Sequence, residues 1–403
     1  MAKAKKSSVI IPGRDGGQGP IFSDEHSPLL KQIAEELQNK FGPRTLFRAS
    51  GVTEKRFIPT NSFLINYVLN GGIPVNRITL FYGVKEAFKT TQALKVLANY
   101  QRLCSFCLLS DENCSCSGGP KKKHALIVDM EKSLNEEHMM RLGVNPEWVI
   151  VSRPMHGEEA CEVTEYMAKS GEIGFTIFDT LAAISSRDEV ESGYLDSIAR
   201  GSRARLIARL YRAMISFIDR PNNPSTAIMI NHMLPRQDGM GVYLPGGETQ
   251  KYLSGVVIRY MPIEKKKTVL KDGKEKIATF AGKGKQSLSD VEGTRKQRLS
   301  FLVEYSKVGK ANVSGEFSIM LDDVEGGYFA DADDFSTVFL YGQQSGWINR
   351  DGKGLWVVHG IDEPQSAQKD VFAIWKNHPM TYMTFQRQII QSRVRLPEDE
   401  EDD

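Results

Sequence analysis

The segment Gly83, Val84, Lys85, Glu86, Ala87, Phe88, Lys89, Thr90, Thr91 follows an apolar strand and opens a helix. That is the context in which a chain cradles a polyphosphate. Successive backbone N–H groups face the phosphates, and the helix N-terminus adds positive potential. In such a loop Lys89 reaches the β- and γ-phosphates, and the Thr90 hydroxyl ligates Mg²⁺. The segment departs from the consensus at Phe88, where glycine is expected. Three later apolar runs end in polar groups suited to the same chemistry. Ile177-Phe178-Asp179 ends in a carboxylate that would hold Mg²⁺ through its water shell. Ile127-Val128-Asp129-Met130-Glu131 brings Glu131 to a strand end, where it would polarise a water for attack on a γ-phosphate. Met229-Ile230-Asn231-His232 ends in groups that would hydrogen-bond a γ-phosphate and report its loss to the next loop. Each has a bland reading alone: a chance Lys-Thr, a strand-end Asp, a surface Glu, a capping Asn-His. The four in order on one sheet are much harder to obtain by chance.

A second cluster is made of cysteines. Cys104, Cys107, Cys114 and Cys116 give C-x₂-C-x₆-C-x-C, with four of the five cysteines inside 13 residues. Such crowding suits a tetrahedral thiolate site, and Zn²⁺ would staple the loop that carries it. The spacing is not a standard zinc-finger one, and reduced, unligated thiols are the alternative. Cys161 lies in a helical stretch and reads as core.

Positioning these groups takes a long alternation of strands and helices. Strand-like runs are 77–83, 124–130, 175–180, 226–231 and 255–261, and helical stretches are 89–103, 133–142, 157–170 and 202–219. This rhythm predicts an α/β fold, a mainly parallel sheet with helices on both faces, with ligands at the carboxyl ends of the strands. Residues 1–24 read as a disordered basic tail, and 28–40 as a helix with apolar residues at Leu29, Leu30, Ile33 and Leu37. The Lys- and Gly-rich stretch 264–298 reads as a long hairpin or mobile loop, with strands resuming at 299–305 and 315–320. Residues from about 330 to 395, with Trp347, Trp356 and Trp375, read as a smaller α/β domain. The expected divisions are 1–50, 51–330, 331–396 and an acidic tail at 397–403.

The 403 residues are 40% hydrophobic and 25% charged, with a net charge of +2. That is ordinary for a globular protein, and no apolar run approaches the roughly 18 residues of a membrane span. The start lacks an apolar signal core, so a cytoplasmic protein is expected. Charge is segregated, with basic residues around 200–212 and 265–298 and acidic ones from Glu398 to Asp403.

The order of these motifs resembles the RecA family over roughly residues 50–330. The segment Ile58 to Pro74, Ile-Pro-Thr-Asn-Ser-Phe-Leu-Ile-Asn-Tyr-Val-Leu-Asn-Gly-Gly-Ile-Pro, is similar to that family's lead-in to its phosphate loop. Phe88 before Lys89, Ile230-Asn231-His232 and the acidic terminus resemble the phage recombinases of the UvsX type. The resemblance implies a RecA-like ATPase core that uses ATP and Mg²⁺, with an N-terminal helix and strand (Thr45–Ser50) packing on the next subunit. It implies a DNA-dependent ATPase that filaments on single-stranded DNA and exchanges strands with duplex DNA in recombination and repair. Single-strand-binding and mediator proteins are its implied partners, and the cytoplasm, the host's for a phage protein, its place. Glu131 matches the catalytic glutamate, and His232 the residue coupling γ-phosphate to a second DNA loop at about 233–250. A first DNA loop falls at about 187–202. Lys307, after Tyr305-Ser306, matches a cation reaching across to a neighbour's ATP. Bacterial RecA has two lysines there and Tyr305 replaces the first, which leaves Lys307 and Lys310. Arg200, Arg203, Arg205, Arg209, Arg236, Gly246 and Gly247 are the candidate DNA contacts. Two other readings stay open: a hexameric helicase or motor with the same core, and a non-hydrolysing paralogue acting as a mediator.

Overall fold

A computed structural model describes residues 27–41, 56–192, 201–220, 223–236, 240–269, 275–281, 296–321 and 331–394. The expectations for the 1–24 tail, the Thr45–Ser50 strand, Arg200 and the acidic terminus lie outside the described residues. Helix α1 (Pro28–Phe41) belongs to a compact unit of its own, Met1–Lys55. Its Leu29, Leu30 and Ile33 are exposed, while Ala34 is buried.

The second unit, Arg56–Asp403, is built on a large mixed sheet. Its strands are β1 (Ile78–Gly83), β2 (His124–Asp129), β3 (Val149–Ser152), β4 (Ile173–Asp179), β5 (Thr226–His232), β6 (Val256–Val269), β7 (Glu275–Ala281), β8 (Lys296–Ser306) and β9 (Val313–Met320). The order across the sheet is β9-β8-β6-β1-β5-β4-β2-β3, with β7 paired to the far half of β6. Neighbours from β6 to β3 run parallel, and β7, β8 and β9 pair antiparallel. The chain leaves β1 toward β2, and after β5 it crosses back past β1 to β6. The carboxyl end of β1 is therefore a topological switch point, where α/β folds open a crevice.

Strands β1, β4 and β5 are apolar nearly throughout because both faces of the sheet are covered. Side chains alternate between two apolar clusters, as strand geometry requires. Phe81, Ile127, Phe175, Ile177, Ile228 and Ile230 face one cluster, with Leu94 and Leu97 of helix α3 (Lys89–Gln101), which follows helix α2 (Phe63–Val68). Leu80, Leu126, Val128, Phe178 and Met229 face the other, with Ala160 of α4 (Gly157–Ser170) and Leu206 and Leu210 of α5 (Ser202–Ile218). Helices thus cover both faces.

Two features go beyond the sequence pattern. Val149–Ser152 is an edge strand, with Ile150 and Val151 exposed, and three apolar residues are too few to signal it. The Lys-rich 264–269 segment takes the hairpin form of the two expected for it, and it does so as part of the main sheet. It is the continuation of β6, paired from Ile263 to Val269 with β7 as one arm of a hairpin.

Residues 331–394 add helices α6 (Phe335–Gln344), α7 (Gln368–Asn377) and α8 (Pro379–Val394), with a small hairpin, Ile348–Arg350 against Trp356–Val358. Their apolar cluster includes Val338, Phe339, Val371, Trp375 and Phe385, and it takes in Phe63 of α2. Asp334, buried beside this joint, accepts a short hydrogen bond from the Phe63 main-chain N–H. Burial pushes its carboxyl up to about 7, against the pull of that N–H.

A raised carboxyl pKa means that the folded chain holds a proton the unfolded chain has lost, so stability falls as pH rises from about 4 to about 7. Asp334→Asn keeps the acceptor oxygen but has no proton to release, so that part of the pH dependence should vanish. Urea midpoints across this pH range check it, and parallel curves for the two proteins would remove the assignment.

Candidate nucleotide site and the loops around it

Gly83 ends β1 wedged between β5 and β6, opposite His232 and Tyr260. A Cβ there would lie 2.0 Å from the Tyr260 carbonyl oxygen, so only glycine fits. The chain then turns through Val84–Ala87, and α3 begins at Lys89. Phe88, the N-cap, has φ 57° and ψ 25°, a left-handed conformation in which glycine is at ease and Phe costs roughly 1–2 kcal/mol. Its ring is partly buried against the α3-side cluster, which offsets the strain. The departure from consensus is therefore a packed residue held in the backbone shape the glycine would have had.

Lys89 is buried, and its Nζ donates to the Val84 carbonyl at 2.7 Å. Burial lowers its ammonium to about 8, against the opposing pull of Asp179 and Glu131. Thr90 Oγ1 donates to Asp179 Oδ2 at 2.7 Å. Burial raises the Asp179 carboxyl to about 6, although the Thr90 hydrogen bond works the other way. Its Oδ1 is buried with no hydrogen-bond partner among the described residues. A hydroxyl oxygen beside an unanswered carboxylate oxygen is a donor set that suits Mg²⁺.

Glu131 stands after β2, and its Oε1 meets His232 Nε2, from the end of β5, at 2.8 Å. That hydrogen bond holds the Glu131 carboxyl below its ordinary value. The nearby Asp129 does different work. It accepts from the Ser133 and Leu134 N–H groups and from Arg153 Nε, each at 3.2 Å, and so fixes the turn that presents Glu131.

Asn231 is fully buried and fully used. Its Oδ1 accepts from the His232 N–H at 2.9 Å, and its Nδ2 donates to the Pro245 carbonyl (2.9 Å) and Gln250 Oε1 (2.7 Å). Gln250 in turn donates to the carbonyls of Pro245 and Gly247, both at 2.8 Å. Nothing in the local sequence marks Gln250, whose partner lies 19 positions away. Between these anchors the chain makes a small hairpin, Leu234–Pro235 against Val242–Tyr243, closed by the Arg236 N–H to the Gly241 carbonyl. Arg236, Met240 and Tyr243 are exposed at its surface. Gly246 has φ +93°, and a Cβ there would strike Ile207 of α5 at 2.2 Å, so the base of this loop is pressed onto that helix. Gly247, at φ +78°, is also left-handed.

The arginines of α5 divide. Arg205 is exposed. Arg209 is exposed as well, whereas Arg203 Nε donates to the Ile184 carbonyl at 2.8 Å. Lys307 stands apart from the phosphate loop of its own chain. Its N–H donates to Gly255 O at 2.9 Å, Ser306 pairs with Val256, and Val256 pairs with Thr79. It therefore sits at the amino end of β1, roughly 13 Å along the strand from Gly83 at 3.3 Å per residue. Its side chain is exposed, as is that of Lys310. Cys104, Cys107, Cys114 and Cys116 converge at that same end of the sheet, after α3.

A parallel sheet with a strand–turn–helix of this kind, a Thr–Asp pair and a Glu–His pair at its carboxyl ends has the architecture of a P-loop α/β protein. Residues 29–283 match the family model described as the RecA N-terminal domain. The chain is 30% identical over 257 residues to Protein RecA of Mycobacteroides abscessus, covering 62% of this chain and 66% of that protein. It is 30% identical over 234 residues to Protein RecA of Nautilia profundicola (56% and 61%), and 28% identical over 270 residues to that of Chlorobaculum tepidum (64% and 70%). The chain thus spans under two thirds of the length of the first two relatives. It belongs to the RecA family. Among the described residues, no helix is long and apolar enough to cross a membrane.

Asp179 must be ionised to face Mg²⁺, so Mg²⁺-dependent nucleotide binding should weaken as pH falls through about 6. Asp179→Asn should weaken it about tenfold or more and flatten the pH profile. Fluorescent-nucleotide titrations with and without Mg²⁺ check this. An unchanged pH slope in the variant would remove Asp179 from the site.

Proposed function

We propose that this chain is an ATP-dependent DNA recombinase that coats single-stranded DNA as a helical filament and catalyses strand exchange. The observation that carries the reading is the hydrogen-bond chain at the end of β5. Glu131 meets His232, His232 follows Asn231, and Asn231 holds Gln250 and Pro245 at the base of the 233–250 loop. One end of that chain lies at the phosphate pocket and the other at a surface loop fit to touch DNA.

In this reading the N–H groups of Val84–Thr91 and the Lys89 ammonium bind the ATP phosphates. Thr90 and Asp179 would hold Mg²⁺, which neutralises charge on the β- and γ-phosphates when bound. Glu131 orients a water toward the γ-phosphorus and accepts its proton. His232 exchanges its bond to Glu131 for one to the γ-phosphate, and Asn231 and Gln250 pass the change to the loop. Arg205, Arg236 and the Gly246–Gly247 backbone contact the DNA phosphates, leaving the base edges free to pair. Arg209 is exposed like Arg205 and stands with it, whereas Arg203 is engaged within the chain and is a secondary candidate.

The position of Lys307 supports a site completed by a neighbour. A cation at the amino end of β1 serves the ATP of an adjacent subunit better than its own. Among the described residues β3 is the last strand of the sheet, and its edge suits addition of a strand from another copy, the role expected of Thr45–Ser50. Phe88 and the Ile230-Asn231-His232 run favour the UvsX type within the family. Glu131 and Lys89 favour a hydrolysing enzyme over a scaffold, which needs neither residue. Single-strand-binding and mediator proteins remain its expected partners in a cytoplasm.

Single-stranded DNA should stimulate ATP turnover and yield helical filaments in electron micrographs; rings would favour the motor, and no turnover the scaffold. Lys89→Ala and Lys307→Ala should each lower turnover about 100-fold. Equal mixing should restore about a quarter of wild-type activity, because random head-to-tail interfaces re-create intact composite sites. No recovery would rule out the shared site. Gln250→Ala should keep nucleotide affinity yet lose about tenfold of the DNA stimulation, a coupling of about 1.4 kcal/mol. Equal stimulation would break the proposed relay.

A further inference from the structure

The loop between α3 and β2 holds a cysteine motif that the nucleotide reading leaves unused. Cys104, Cys107, Cys114 and Cys116 place their four Sγ atoms within 4.8 Å of one another. Cys104 and Cys116 are 3.8 Å apart, and Cys107 and Cys114 are 3.6 Å apart. Four sulfurs at about 2.3 Å from a tetrahedral Zn²⁺ are separated by about 3.8 Å along each edge. A disulfide would bring a pair to about 2.05 Å. An iron–sulfur cluster needs its thiolates spread around several metal atoms, wider than this group allows.

We propose that these four cysteines form a structural zinc site, a thiolate knuckle that ties the carboxyl end of α3 to the strand leading to Glu131. Each ligating thiol gives up its proton to solvent, and four thiolates around Zn²⁺ fill its coordination, leaving no position for a substrate.

Three further observations support the site. First, the segment has almost no core of its own. From Leu109 to Pro120 no residue is buried, yet the chain is tightly turned. Cys104 N–H donates to the Leu109 carbonyl at 2.9 Å, and Leu108 N–H donates to the Cys104 carbonyl at 2.8 Å. Leu108 is left-handed at φ 56°, and Gly118 and Gly119 are left-handed at 82° and 83°. Metal bonds would supply the stability that apolar burial does not.

Second, the sulfurs are already offered donors. The Lys121 N–H lies 3.4 Å from Cys104 Sγ, an arrangement that stabilises thiolate and orients it for a metal. Third, the surroundings are cationic. Lys121 and Lys123 place their ammonium groups over the Phe106 ring at 5.3 and 5.2 Å, between the first two cysteines. Lys122 donates to the Gln101 and Leu103 carbonyls at the end of α3, and to Asp111. A doubly negative zinc tetrathiolate would meet complementary charge there. The site lies at the amino end of the sheet, away from the phosphate loop, so its metal braces the elements and does not join the chemistry.

The test uses the full chain, purified from zinc-replete cells under reducing conditions. Elemental analysis should find about one zinc per chain. Replacement by Co²⁺ should give the thiolate charge-transfer and d–d bands of a tetrahedral all-sulfur site. The double variant Cys114→Ser/Cys116→Ser should lose the metal, and Cys161→Ser should keep it. Circular dichroism and nucleotide binding of the double variant guard against general unfolding. Hydrogen exchange should rise over 103–123 when the metal is stripped, with little change over 83–97. Metal-free chains with four titratable thiols, two disulfides found by mass, or iron in place of zinc would each overturn the proposal.

Discussion

A carboxylate buried at the end of a parallel strand must be answered, and Asp179 is answered on one oxygen alone. Thr90 donates to Oδ2, and Oδ1 has no partner among the described residues. That half-satisfied pair fixes what the rest of the molecule has to arrange. β1 and β4 must lie two positions apart in the sheet, with β5 between them. The phosphate loop must pass tightly enough for α3 to begin at Lys89, which requires a residue without Cβ at Gly83 against Tyr260. The low-dielectric walls that raise Asp179 to about 6 and lower Lys89 to about 8 are the same walls that make charge interactions with a polyphosphate strong.

Around this pocket the polar groups are divided between holding and transmitting. Asp129 is spent on the turn before Ser133 and Leu134, which leaves Glu131 free to meet His232. Asn231 is satisfied on both amide atoms, and a fully satisfied buried polar network is rigid. That link joins the His232 main chain to the Gly247 carbonyl through Asn231 and Gln250.

The two ends of the parallel strands differ in kind. The carboxyl end gathers buried charge and strained backbone, including Phe88 in a left-handed turn. The amino end carries Lys307, Lys310 and the cysteine knuckle, which are exposed or close to the surface.

Much of this was legible in the residues. Strands covered on both faces read as continuous apolar runs, so β1, β2, β4 and β5 announce themselves, and Lys89-Thr90 is a local signal. The edge strand β3 is half exposed and leaves no such run, and the lysines at 265–267 left a hairpin and a mobile loop both open for the stretch that is the far half of β6. The sequence by itself determined which residues could bind phosphate, which cysteines crowd together, and the α/β rhythm, because these depend on chain neighbours. Tertiary structure alone decided that Glu131 reaches His232, that Gln250 holds Asn231, and that Lys307 lies far from its own phosphate loop. Those facts are set by strand order and register, which bring together groups as much as 101 positions apart, and no local spacing encodes them.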